Sequence, residues 1–153
     1  QACRVKNVTA NTFELQGLNT TNFGAFTAGT FTPVSTWQTL SESTSYSIGG
    51  GAADKLDATC LIHTTKQEEQ GNLPAATISM NVLAQDTPSL AMQLCESAVQ
   101  VSGAIVGRVV HPSGAVRIFR GEPSLPGEDV QQGQLGTGSL DFSVKGFVLK
   151  LAA

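Results

Sequence analysis

Charge is scarce in this chain. Asp, Glu, Lys and Arg make up 14% of its 153 residues, against about 25% in an average soluble domain. A chain held open by its own charge is therefore excluded. Nine basic and twelve acidic residues leave a net charge of −3. No basic block occurs, although a conventional nucleic-acid-binding surface shows one. Long apolar runs are also missing, and nothing approaches the about 18 residues of a membrane-crossing helix. Residues 1–10, QACRVKNVTA, hold no apolar signal core, so secretion by that route is not expected. Cysteine is limited to Cys3, Cys60 and Cys95. An odd number without a C-x-x-C pair argues for reduced thiols over a secreted disulfide framework. Two matches to the glycosylation pattern, Asn7-Val8-Thr9 and Asn19-Thr20-Thr21, are what an Asn- and Thr-rich chain yields by chance.

What is present favours strands. The length suits one domain spanning residues 1–153, with enough chain to bury a core. Small and β-branched residues dominate, glycine and threonine punctuate, and no repeat or heptad marks a boundary. Phe13 and Leu15 share a strand face, while strand limits around Phe23, Phe26 and Phe31 stay open. Residues 36–40 read as a strand with Trp37 and Thr39 on one side. Residues 57–63 read as another, with Ala58, Cys60 and Ile62 on one face. Residues 77–83 alternate clearly, with Ile78, Met80 and Val82 opposite Thr77, Ser79 and Asn81. That is a strand with one dry and one wet face. Residues 41–75 are mostly polar and contain the triple glycine Gly49-Gly50-Gly51. A long, mobile hairpin is expected within them.

One helix is expected over residues 88–98. Thr87 caps it and Pro88 takes the first helical position. Leu90, Ala91, Leu94, Cys95 and Ala98 form its apolar stripe. Residues 105–110 and 116–120 are strands joined by a turn at His111-Pro112-Ser113-Gly114. Arg117 and Arg120, at odd spacing, leave opposite faces of their strand. Leu140, Phe142 and Val144 share a phase that switches after Lys145-Gly146 to Phe147, Leu149 and Leu151, which predicts a β-bulge.

No catalytic constellation emerges. Cys60 and His63 point to opposite faces in the strand reading, which buries Cys60 and exposes His63. No family signature of a cysteine nucleophile surrounds either residue. Two histidines and three cysteines in all are a thin supply for zinc. No G-x-x-x-x-G-K-[ST] phosphate loop is present, and the triple glycine is not followed by a helix. Glu68-Glu69 and Glu128-Asp129 sit in polar loops, where solvated charge is expected in place of a desolvated acid. The expectation is therefore no enzyme activity, no cofactor and no metal.

The order of elements carries a resemblance. Helix, strand, Pro112-Ser113-Gly114 turn and the strand Val116-Arg117-Ile118-Phe119-Arg120-Gly121 follow one another. They resemble the C-terminal half of the major tail tube proteins of long-tailed, non-contractile (siphovirus-type) bacteriophages, which carry a similar V-x-[VI]-F-R-G strand. Asp57-Ala58-Thr59-Cys60 through Gly71-Asn72-Leu73-Pro74, followed by the strand at 77–83, is similar as well. The likeness runs from about Trp37 to Leu151. It implies a mainly β fold: a β-sandwich or incomplete barrel with one flanking α-helix and a long extended hairpin. It also implies a structural virion protein, present in the host cytoplasm during assembly and in the virion tail afterwards. Six copies form a ring, and rings stack into a conduit for DNA delivery. The implied partners are other copies of the chain, the tape-measure protein and genomic DNA in the lumen, and tail tip and tail terminator proteins at the ends, with no membrane binding. Hairpin residues expected between subunits are Glu42, Tyr46, Lys55, Lys66, Glu68 and Glu69. Residues expected to face the lumen are Asp57, Thr59, Thr77, Ser79 and Asn81.

Three other readings compete. A contractile tail or a bacterial secretion system uses a related ring-forming tube. A monomeric carbohydrate-binding β-sandwich usually displays aromatic faces, yet this chain has only Trp37 and Tyr46 beyond its phenylalanines. A cysteine hydrolase would use Cys60.

Overall fold

The computed structural model describes the chain except residues 1, 11, 20, 23, 25–29, 51, 86, 125, 126 and 153. Thr20, Phe23, Phe26 and Gly51, which enter the sequence reading, lie outside the described residues. The strands are β1 (Arg4–Lys6), β2 (Glu14–Gln16), β3 (Ser43–Gly49), β4 (Lys55–Asp57), β5 (Glu68–Gln70), β6 (Thr77–Leu83), β7 (Ile105–Val110), β8 (Val116–Pro123), β9 (Gly127–Asp129), β10 (Thr137–Val144) and β11 (Leu149–Leu151). A single described helix, α1 (Leu90–Gln100), interrupts them. The fold is mainly β, a curled half-barrel sheet with one flanking helix.

The main sheet is antiparallel and runs β7–β8–β10–β6–β3. Alternation decides its two faces. Ile78, Val82, Phe119, Leu140, Phe142 and Val144 form one buried cluster with Met92 and Cys95 of α1. Phe119 is fully buried, and its ring meets Phe142 edge-on at a centroid distance of 5.4 Å. Gly107 makes room for it. A Cβ there would lie 2.2 Å from Phe119 Cζ, so any larger residue displaces the central ring.

The opposite face is buried only at one end. Ala2, Ile118, Leu149 and Leu151 cluster there, flanked by Val106 and Val116. The hairpin of β1 and β2 lies over this end. A Cβ on Gly17, the residue after β2, would lie 2.8 Å from Leu149 Cδ1.

The turn at 111–114 forms as the sequence predicts. Gly114 adopts φ 86°, its N–H donates to His111 O at 2.9 Å, and His111 N–H donates to Ala115 O at 2.8 Å. The one-residue bulge expected after Val144 does not form; the strand breaks off over residues 145–148 instead. β10 pairs Val144 with Gly121, and β11 resumes on the same strand with Leu149 opposite Ile118. Four residues on one side thus face two on the other, and Gly146 at φ 94° absorbs the bend. Two extra residues leave the alternation in step, so Val144 and Leu149 enter opposite clusters and do not share one face. Phe147 does not follow the expected phase and is 44% exposed.

Four further expectations need correction. Residues 36–40 are not a strand; Trp37 lies beside β7, with the Arg108 guanidinium 4.7 Å from its ring centroid. Residues 57–63 are not one strand either. β4 ends at Asp57, and the chain turns through Leu61 and Ile62, leaving Cys60 exposed instead of buried. The helix is capped by Ser89, whose hydroxyl accepts from Met92 N–H at 3.3 Å, so Thr87 and Pro88 precede it. Its buried row is Met92, Cys95 and Ala98, whereas Leu90 and Leu94 face solvent.

Candidate assembly surfaces

Polar residues line the sheet face that the β1–β2 hairpin leaves open. Directly opposed residues of an antiparallel pair share a face. The register aligns Ser139 with Asn81, Asp141 with Ser79 and Ser143 with Thr77. On the other side of β6 it aligns Ser45 with Asn81 and Ser47 with Ser79. Asn81 Nδ2 donates to Ser45 Oγ at 2.8 Å. The result is a continuous hydroxyl and amide surface over three strands, with Asp141 as its one acid on β6, β3 and β10. Thr77, Ser79 and Asn81 do stand together on it. Asp57 and Thr59 do not, because Asp57 belongs to a separate two-stranded sheet and Thr59 lies just beyond it in the same arm.

The main sheet ends in two free strands. Among the described residues β3 pairs only with β6, and β7 only with β8. Curling brings a corner of these two ends together. Tyr46 Oη of β3 shares a hydrogen bond with His111 Nε2, just after β7, at 2.7 Å, and the two rings meet edge-on at 5.7 Å. Tyr46 is thus a sheet residue held within the subunit, not a residue of the projecting hairpin.

Glu42 is corrected in the same sense. It is 2% exposed and lies immediately before β3. Its carboxylate accepts from Ser89 N–H at the start of α1 and, at 3.3 Å, from Ser41 Oγ. Burial pushes its pKa up, yet the hydrogen bonds from Ser89 and Ser41 outweigh this and hold it below the usual carboxylate value. A carboxylate at a helix N-terminus also matches the helix dipole. Glu42 therefore ties the sheet edge to α1.

The projecting hairpin is shorter than 41–75. β4 and β5 pair Lys55 with Gln70, Leu56 with Glu69 and Asp57 with Glu68, as an arm apart from the main sheet. Lys55 and Lys66 both bond Glu68, at 2.7 and 2.9 Å. These two ammonium groups hold the Glu68 carboxyl below its ordinary range. Asp57 is lowered by Thr59, whose N–H donates to Asp57 Oδ1 at 2.9 Å. Glu69 is exposed beside them. Lys55, Lys66, Glu68 and Glu69 do share the arm, with Asp57 and Thr59. At its tip Cys60 N–H donates to His63 Nδ1 at 3.1 Å, and Leu61 and Ile62 are 109% and 86% exposed.

Burial, with the Glu96 charge beside it, pushes the Cys95 thiol up to about 11, which makes it a poor nucleophile. Among the described residues no three His, Cys, Asp or Glu side chains cluster in a way that could hold a metal ion. A cleft of about 210 Å³ lies at the start of α1, between Glu42, Met92, Glu96 and Glu128. Small-molecule pockets usually span about 300–1,000 Å³. A larger groove of about 610 Å³ passes over Thr44, Asn81, Glu128 and Asp129, continuing the polar face. No described helix is long and apolar enough to cross a membrane.

A polar sheet face, two strands each with one free edge and a projecting arm suit a structural subunit. The chain belongs to the phage tail tube protein family, whose model matches residues 1–150. Its fold is similar to a chain in the virion of a native gene transfer agent particle, with TM-score 0.58 and 14% identity over 74% of this chain and 88% of that one. It is equally similar, at TM-score 0.58 and 14% identity, to a chain in the tail of an empty gene transfer agent particle with C6 symmetry; 74% of this chain and 85% of that one are covered. No curated protein matches it. The chain is thus a structural protein of the virion tail.

Sequence reasoning missed half of the polar face. Ser139, Asp141 and Ser143 alternate with Leu140, Phe142 and Val144 and were readable as a wet row. The register that sets them beside β6 was not.

Proposed function

We propose that six copies of this chain close into a ring and that rings stack into the tail tube. The polar face formed by Ser45, Ser47, Thr77, Ser79, Asn81, Ser139, Asp141 and Ser143 lines the lumen. The observation that carries this reading is that face, bounded by the free strands β3 and β7. An exposed strand edge is an aggregation hazard that ring closure removes. Pairing β3 of one copy with β7 of the next continues the sheet around the ring. The C6 symmetry belongs to the related tail, and its transfer to this chain is part of the proposal.

The lumen chemistry suits a conduit. The hydroxyl and amide groups of these residues stay hydrated and carry no cation, and on β8 the same face adds Arg120 beside Glu122. A net charge of −3 per copy adds repulsion toward DNA, which favours sliding over sticking. The tape-measure protein and DNA occupy this channel, and tip and terminator proteins close its ends. No step of this role requires catalysis.

Negative-stain electron microscopy over a concentration series, with solution mass beside it, tests the reading. Six-fold rings or hollow filaments are expected. A chain that stays monomeric throughout, and is not taken up into assembling tails, overturns it. Co-purification with a contractile sheath would assign the tube to the contractile class.

A further inference from the structure

Residues 36–40 alternate like a strand, yet they join no sheet among the described residues. Residues 30–40 make no backbone hydrogen bond among the described residues, and residues 30–39 are exposed. Side chains alone hold this segment. Phe31 meets Phe13 at a ring-centroid distance of 5.5 Å. The Arg108 guanidinium lies over the Trp37 ring at 4.7 Å. Leu40 packs against the buried cluster around Phe119.

These contacts lie on different sides of the sheet. Side chains alternate along a strand. Gly107 and Val109 of β7 face the Phe119 cluster. Arg108 between them therefore leaves from the opposite face, which it shares with Ile118. Phe13 adjoins β2, in the hairpin that lies over that same face. Leu40 is on the core side, so the chain changes sides between residues 37 and 40. Three residues span at most about 10 Å. The crossing thus goes round the edge nearest Arg108, which is the free edge of β7. Residues 37–40 stand where the tube reading seats β3 of the next copy.

We propose that residues 31–40 are a strap that covers the free edge of β7 in the single subunit and peels off Arg108 when β3 of another copy takes that edge. The inference rests on the tube reading and names a control on the same edge. A bare edge strand is a template for wrong pairing, and covering it with a loop is one way to blunt it. This cover is built to be displaced. It has no backbone hydrogen bonds to break, whereas an incoming strand forms a ladder. Its one tie to β7, a cation–π contact at an exposed site, is weak. A strand offered in register therefore wins the edge, and a stray encounter that makes no ladder does not. The subunit stays single until an ordered edge is presented to it.

Trp37 is the only tryptophan of the chain, so its emission reports on the strap directly. In the full-length wild type that emission is expected to shift in step with light scattering as the protein assembles. Arg108→Gln and Trp37→Leu should each speed assembly about two- to fivefold, the strength of an exposed cation–π contact expressed as a rate. The double variant gains nothing over the faster single one, because both changes remove one contact. Arg108 is exposed, so the thermal melt of Arg108→Gln stays with that of the wild type and excludes a folding cause. A reversible tether completes the test. In a Cys3→Ser, Cys60→Ser background, in which Cys95 is buried, Trp37→Cys and Arg108→Cys are bridged by a short bis-methanethiosulfonate. The bridged chain should stay out of rings and filaments, and reductant should return it to them. Bridged protein that assembles as fast as the cleaved protein overturns the strap and leaves the tube reading standing. So does a Trp37 emission that stays constant while rings form, and so do single variants that assemble at the wild-type rate. A wild type and variants that all form neither rings nor filaments overturn the tube reading, and the strap with it.

Discussion

β6 and the β4–β5 arm follow one another in the chain and obey different physics. In β6 every second position is dry, with Ile78 at 0% and Val82 at 3% exposure, and neighbours pair on both sides. In β4 and β5 all six residues are exposed, and ion pairs around Glu68 replace a core. Exposed ion pairs contribute little, about 0–1 kcal/mol. The main sheet therefore carries the stability of the subunit, and the arm depends on what it meets. That division suits a subunit that folds alone and then polymerises.

The comparison breaks first at Phe119. Phe119→Ala removes a fully buried ring and is expected to cost about 3–5 kcal/mol, a large part of the about 5–15 kcal/mol that holds a domain together. Urea unfolding of the monomer measures it. Leu61→Ala deletes half as many carbon atoms, all from the exposed arm tip, and should shift the same transition by less than about 0.5 kcal/mol. Equal losses at the two sites would mean that the arm belongs to the core.

Glu42 comes next, because it joins the sheet edge to α1. Glu42→Gln keeps an acceptor for Ser89 N–H but loses the charge, and should cost about 1–2 kcal/mol at neutral pH. The folded pKa lies below the ordinary 4.5. Its stabilisation is thus complete above that value and is lost as pH falls through the lower folded value. Urea melts between about pH 3 and pH 7 should show the wild type and Glu42→Gln converging at the acid end. A constant gap between the two curves would mean that the charge of Glu42 is irrelevant.

Local patterns were legible, and long-range ones were not. Residues 105–110, the turn ending at Gly114 and the dry row of β6 followed from alternation and turn chemistry over a few residues. The helix start was misplaced because Glu42, 47 residues away, fixes the N–H of Ser89. Residues 57–63 mimic a strand through Ala58, Cys60 and Ile62, but pairing among the described residues ends with Asp57 opposite Glu68 and Ala58 N–H on Gln67 O, and the segment then turns. Leu90 and Leu94 fit a helical core stripe equally well as an outer one. Only the docking of Met92 against the sheet decides which row is buried. Thr77, Ser79 and Asn81 were readable as a wet face, but not their neighbours Ser45, Ser47 and Asp141, which register alone supplies.

Tyr46→Phe probes the smallest of these differences. The hydroxyl bonds His111 across the mouth of the curled sheet and is half-buried, so its loss should cost about 1 kcal/mol. The effect should be local. Amide exchange is expected to rise along β3 and at the 111–114 turn, while β8 and β10 keep the protection of the global transition. The arm amides, outside this sheet, should exchange at one rate in wild type and variant. If deleting the hydroxyl also loosened β4 and β5, the arm and the sheet edge would form a single cooperative unit, and the division between self-supporting sheet and dependent arm would fail.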